Sequence, residues 1–131
     1  MPNNFIWNGE AIKRKIEAET MRRLDASAIA VENHARKLIS VEGTTQSKPG
    51  GKLSYNKSPS APGEPPHVQT GQLRGSVAHE RTGMIARVGT NLKKGRALEL
   101  GTSKMAARPW LRRALAEMTP FIRAVFVRPI K

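Results

Sequence analysis

From Glu10 to Glu42 the chain runs without a proline or glycine. Within that stretch apolar residues recur at Ile12, Ile16, Leu24, Ala28, Val31, Ala35, Leu38 and Ile39. Most of the steps are three or four residues, the period of one helical face. Asn8-Gly9 is suited to cap the N-terminus, Glu10 puts a carboxylate where the helix dipole favours it, and Gly43 is a natural C-cap. The pattern predicts a helix over 9–42, about 30 residues and roughly 45 Å long. A rod of that length overhangs any small sheet that 131 residues can build, and the overhang needs a partner. Lys13, Arg14, Lys15, Arg22 and Arg23 fall mostly on the other face among Glu17, Glu19 and Asp25, as on a solvated, ion-paired helix surface.

Residues 43–69 change character to Gly, Ser, Pro, Thr and Lys, and the only large apolar residues left are Leu53, Tyr55 and Val68. An extended segment of this length is either functional or poorly ordered. Two readings stay open. One is a hairpin with Leu53-Ser54-Tyr55 as a short strand. The other is an arm that lies on a neighbouring subunit or lines a channel. Residues 70–108 predict a small antiparallel sheet, with Leu73–Glu80 and Met84–Thr90 as strands around Arg81-Thr82-Gly83. Asn91–Gly95 reads as a basic turn, and Arg96–Gly101 as a third strand or a helical turn ended by Gly101. Residues 109–127 predict a helix opened by Pro109, with Trp110, Leu111, Ala114, Leu115 and Met118 on one face and a kink near Pro120. The outline is a single α+β domain over 1–131.

Large apolar residues are too few for a robust core: the aromatic side chains are Phe5, Trp7, Tyr55, Trp110, Phe121 and Phe126. Small domains bury the least surface, so this scarcity favours an assembly in which copies cover one another. The net charge of +13 is lopsided: residues 1–66 carry ten Lys/Arg against seven acids, and residues 67–131 carry thirteen against three. Such a field draws nucleic acid, anionic membranes or acidic protein surfaces. There is no cysteine, hence no disulfide framework. With no apolar run of about 18 residues and no continuous apolar segment in Met1–Asn8, no membrane contact is expected, and the cytoplasm is the expected site of folding.

Nothing in the sequence points to catalysis, so the chain is not expected to be an enzyme. His34, His67 and His79 have neither the spacing nor the companions of metal ligands or catalytic bases. Glu99 is the only acid between Glu80 and Glu117, and reads as an ion-pair partner among cations. Lys48-Pro49-Gly50-Gly51-Lys52 lacks phosphate-loop spacing. No cofactor or metal is expected. The candidates for inter-subunit or DNA-channel contact are Lys48, Lys52, Lys57, Arg81, Arg87, Lys93, Lys94 and Arg96. They form no recognition helix and alternate with no aromatics, so any DNA contact is with phosphate and independent of sequence. Matching to an acidic protein ring accounts for them equally well.

Four short pieces follow in order: Ser60-Ala61-Pro62-Gly63-Glu64-Pro65-Pro66, Thr70-Gly71-Gln72-Leu73-Arg74-Gly75-Ser76, Val88-Gly89-Thr90, and Glu99-Leu100-Gly101-Thr102 with Ala107-Arg108-Pro109-Trp110-Leu111 and Ala114-Leu115. Together they resemble the tail-completion (neck, head–tail joining) proteins of long-tailed bacteriophages, the family named after gene product ten of an HK-type lambdoid phage. The resemblance covers roughly residues 10–119. Ala97-Leu98 stands where that family often has an aromatic, and Trp110 is a mild variant of its Arg-Pro-aromatic-Leu ending. The resemblance implies a virion structural protein with a tail-tube or neck-ring-like fold. It implies homo-oligomeric rings, commonly six-fold, around the channel that DNA crosses, with other neck, connector and tail-tube proteins as neighbours. It carries no catalytic residues over. The alternative is a small basic protein that binds nucleic acid without sequence preference.

Overall fold

The computed structural model describes residues 8–41, 45–47, 53–57, 60–68 and 71–130. Helix α1 runs Gly9–Leu38. Asn8 holds the N-cap position but makes no side-chain cap bond. The helix stops short of the predicted residue 42 because Ile39 turns into the core, where it is buried. The Ser40 N–H donates to Lys37 O at 3.2 Å, tightening the last turn. Val41 O then accepts the Val68 N–H at 2.8 Å, drawing the chain out of the helix to meet the segment that returns from the insertion. Gly43, the expected C-cap, lies outside the described residues.

Inside the insertion, β1 (Thr45–Ser47) pairs antiparallel with β2 (Leu53–Lys57). This is the hairpin alternative, with the strand expected at Leu53–Tyr55 reaching Lys57. The Pro62-Gly63 signal makes its turn: Glu64 N–H donates to Ala61 O at 3.1 Å and Gly63 has φ 86°. Pro second and a positive-φ Gly third is the arrangement of a type II turn.

The predicted strand Leu73–Glu80 is corrected in its first half, where α2 (Gln72–Ser76) forms instead. Gly71, at φ 80°, reverses the chain, and Gly75 N–H closes a helical turn on Gly71 O at 2.9 Å. Ser76 Oγ donates back to Leu73 O at 2.7 Å. Gly and Ser are poor strand formers, and this local bonding outcompetes a ladder. The turn buries Leu73 and leads into Val77, which is 1% exposed.

β3 (Ala78–Thr82) and β4 (Ile85–Gly89) form a second antiparallel hairpin. The expected turn at Arg81-Thr82-Gly83 shifts to Gly83-Met84, with Arg81 and Thr82 completing β3. Gly83 has φ 59°, which the first loop position of a type II′ turn requires. Register sets His79 opposite Val88 and Arg81 opposite Ala86. This face meets α1, where His79 Nδ1 bonds Glu32 and Arg81 Nε donates to Asp25 Oδ1 at 2.7 Å.

The helical alternative holds for the next segment: α3 spans Lys93–Leu100, absorbing the second half of the expected basic turn, and ends at Gly101 (φ 77°). α4 spans Leu111–Val127 and passes through Pro120 rather than ending there. α4 lies antiparallel on α1, since His34 meets Glu117 while Arg23 meets the carbonyls that end α4. The core comprises Val31, Ala35, Ile39, Leu73, Val77, Trp110 and Ala114. Leu115, expected on the buried face with Ala114, is 52% exposed. The fold class is α+β, as expected.

Candidate functional site

The motif pieces of residues 60–111 meet in one place. Gly63 N–H donates to Ala107 O at 3.0 Å, and Arg108 Nε donates to Ser60 O at 3.1 Å. The Arg108 N–H reaches Leu98 O at 2.6 Å, and Thr102 pairs with Met105, closing the loop that begins at Gly101. A Cβ on Gly101 would stand 2.9 Å from Ala107 N and 3.1 Å from Met105 O, so this closure admits only glycine. Trp110 lies at the centre, 1% exposed, and its Nε1–H donates to Gly95 O at 3.1 Å. Gly95 permits that approach: a Cβ there would collide with Thr90 Cγ2 and stand 3.0 Å from Leu73 Cδ1. Thr90 is fixed in turn, its Oγ1 bonding Ser76 Oγ at 2.5 Å and the Leu92 N–H at 3.1 Å.

Two charged side chains clamp α4. Glu99 accepts the backbone N–H groups of Trp110 (2.7 Å), Leu111 (2.9 Å) and Arg112 (3.0 Å). The expected ion pair is the lesser part of its role, since Arg112 Nε stands 3.9 Å away on a 76% exposed side chain. Glu99 is the N-cap that α4 lacks locally, supplied from α3. At the other end Arg23 donates to Phe126 O (3.0 Å), Arg128 O (2.6 Å) and Pro129 O (3.3 Å), with Glu19 bracing it at 3.2 Å. Arg23, expected on the solvated face of α1, is instead buried. Negative charge at the N-terminus and positive charge at the C-terminus both complement the helix dipole. Sequence reasoning misses these partners because they lie 11 to 106 residues away. The only trace is Glu99 standing alone among cations.

Two histidine–carboxylate pairs tie the layers together. His34 Nε2 meets Glu117 Oε2 at 2.5 Å, and Arg113 Nε reaches Glu117 Oε1 at 3.2 Å. The His34 hydrogen bond, with Arg113 assisting, holds the Glu117 carboxyl below its ordinary value of 4.5. Glu32 receives His79 on one oxygen and Arg36 on the other at 2.6 Å, while Arg36 also donates to Val77 O at 2.5 Å.

Of the eight candidate contact residues, Lys48 and Lys52 lie outside the described residues, and Lys57 ends β2. Arg81 is committed within the subunit, to Asp25 and to Gly83 O. Arg87 is on the outer face of its hairpin, 3.7 Å from Glu80, with both side chains well exposed. Lys93, Lys94 and Arg96 are each exposed on α3, and no carboxylate among the described residues pairs with them. Two lysines in the first turn of a helix oppose its dipole, a local cost with no compensating ion pair among the described residues.

Between α4 and β4, with α1 as its floor, runs an apolar groove of about 470 Å³. Ala28, Val31, Val88, Leu115, Ile122 and Phe126 are among its walls. No helix among the described residues is long and apolar enough to cross a membrane. No protein-family model, curated protein or solved structure matches the chain.

Proposed function

We propose that this protein is a structural subunit of a phage virion, a tail-completion or head–tail joining protein that assembles into a ring around the DNA channel. The observation that carries this reading is the interlocking of the motif pieces. Pro62-Gly63 docks on Ala107-Arg108, and Glu99 caps the helix that Arg108-Pro109-Trp110-Leu111 opens. Residues that resemble the family's scattered motifs are thus bonded to one another as a folding unit, which gives their shared occurrence a physical reason. Apolar exposure supports assembly. Ile12, Ile16, Leu115, Phe121 and Phe126 remain 38–52% exposed on a domain whose core includes two alanines among its seven residues.

The test is composition and phenotype. Mass spectrometry of purified particles should find the chain at a few copies per virion, and loss of its gene should leave heads and tails unjoined or tails unfinished. Absence of the protein from particles overturns the reading. Lys93, Lys94 and Arg96, without a carboxylate partner among the described residues, favour a second reading, sequence-independent nucleic-acid binding. That reading requires submicromolar DNA affinity that falls steeply with salt and is lost on reversing those three charges.

A further inference from the structure

We infer that copies of this chain join head to tail, with the overhanging first turns of α1 from one copy lying in the apolar groove between α4 and β4 of the next. The inference rests on the ring reading above and supplies the contact that reading needs.

The overhang is built into the fold. Arg23 marks where α4 stops, so the turns of α1 before it extend past the end of their companion helix. Every residue from Glu10 to Ile16 is exposed. Yet this segment presents the same face that packs on α4 further along. Ile16 precedes His34 by eighteen residues, and Ile12 precedes Ala30 by eighteen, five full turns in each case. His34 is the residue that meets Glu117 on α4. Ile12 (49% exposed) and Ile16 (46%) therefore continue an established helix-packing stripe into solvent. Two isoleucines at i and i+4 are the anchors by which an amphipathic helix enters an apolar groove.

The groove offers the complementary surface. Along α4 from Leu111 to Phe126 it is about 22 Å long, which leaves room for the exposed turns of α1 from Glu10 to Ile16, about 10 Å. Leu115 (52% exposed) and Phe126 (38%) stand on its wall, exposed, with none of the described residues covering them.

The occupant comes from another copy because of how the subunit is built. The same helix forms the groove's floor, through Ala28 and Val31, and carries the overhang at its other end. A continuous helix cannot fold back onto its own floor. One copy's ridge and another copy's groove are different surfaces, so the contact can repeat from copy to copy. A head-to-tail pair still has one free ridge and one free groove, and closing such a chain of copies into a ring satisfies all of them. Because each copy carries +13, screening the mutual repulsion strengthens an apolar contact of this kind, whereas assembly bridged by nucleic acid weakens with salt.

The experiment is analytical ultracentrifugation of the full chain, of Ile16→Glu, of Leu115→Glu, and of the two variants mixed. Both sites are about half exposed, so the variants should keep wild-type circular dichroism and melting. Wild type should associate, more strongly at higher salt, and each variant alone should associate at least tenfold more weakly. The mixture should form dimers and stop there, because only one intact ridge and one intact groove remain to meet. A wild type that stays monomeric at high concentration overturns the contact, and one that stops at a two-fold dimer overturns the head-to-tail arrangement. So do variants that assemble like wild type, as Leu115→Glu would under a two-fold ridge-to-ridge contact, or a mixture that yields no dimers. Presence in virions is judged separately, so the contact can fail while the virion role stands, and the reverse.

Discussion

Replacing Glu99 tests whether a side chain from α3 holds the start of α4. Its carboxylate accepts three backbone N–H groups at 2.7, 2.9 and 3.0 Å, and the side chain is 13% exposed. Loss of a capping side chain costs about 0.5–2 kcal/mol, and loss of a charge at a helix N-terminus a further ~0.3–1 kcal/mol. Water can reach some of the freed N–H groups, so the three bonds do not add in full. Glu99→Ala should cost about 2–3 kcal/mol. Glu99→Gln keeps one acceptor oxygen but loses the charge and turns an NH2 toward a donor, for about 1–2 kcal/mol. For a domain of this size each 1 kcal/mol moves Tm by about 3–5 °C, so alanine should lower it by roughly 10 °C and glutamine by roughly 5 °C. Glu99→Asp should resemble the alanine variant, its carboxylate held one methylene too far back. Urea and thermal unfolding measure the loss, and amide exchange at Trp110–Arg112 should localise it. Arg112→Ala provides the control. If Glu99 acted mainly through the 3.9 Å ion pair, the two alanine variants would match, whereas capping predicts less than ~0.5 kcal/mol for Arg112. A Glu99→Ala protein within about 0.5 kcal/mol of wild type refutes the capping argument.

Arg23→Ala strips three carbonyls and Glu19 of their donor and should cost about 2–4 kcal/mol, with amide exchange rising over the last turns of α4 before its first. Arg23→Lys should recover only part, because an ammonium lacks the planar fork that reaches several carbonyls at once. Gly95→Ala should destabilise by about 1–2 kcal/mol despite alanine's better helix propensity, because its Cβ meets Thr90 Cγ2; adding Thr90→Ser, which removes that methyl and keeps the hydroxyl, should restore most of the loss in urea melts. Glu117 has a lowered folded pKa, so its contribution is present above the unfolded value near 4.5 and is lost as pH falls through the folded one; the stability gap between wild type and Glu117→Gln should narrow over that acid range.

The readings that held rest on neighbours in sequence. The period of α1, the Pro62-Gly63 turn, the stop at Gly101 and the continuation of α4 through Pro120 each depend on residues within a few positions. Backbone sterics and the helical repeat decide such features wherever the chain lies. Even there the ends slipped: α1 stops at Leu38 because Ile39 belongs to a core completed by Trp110, more than seventy residues on. Leu73–Ser76 has strand-like spacing and forms a helical turn, since Leu73 and Val77 share a face at four-residue spacing in either form. The local bonds of the Gly75 N–H and Ser76 Oγ favour the helical turn, and packing of Leu73 and Val77 in the core fixes it.

Charge was the least legible. Composition sets a total of +13 but not which cations face solvent. Arg22 and Arg23 are adjacent and chemically identical, yet one side chain is 75% exposed and the other 10%, because the end of α4 arrives over Arg23 alone. Arg81 is held by Asp25, while Lys93, Lys94 and Arg96 remain without a carboxylate among the described residues. Local chemistry therefore determined the elements and their turns. The tertiary structure decided which charges became caps, and which apolar faces stayed open, because both depend on groups that only folding brings together.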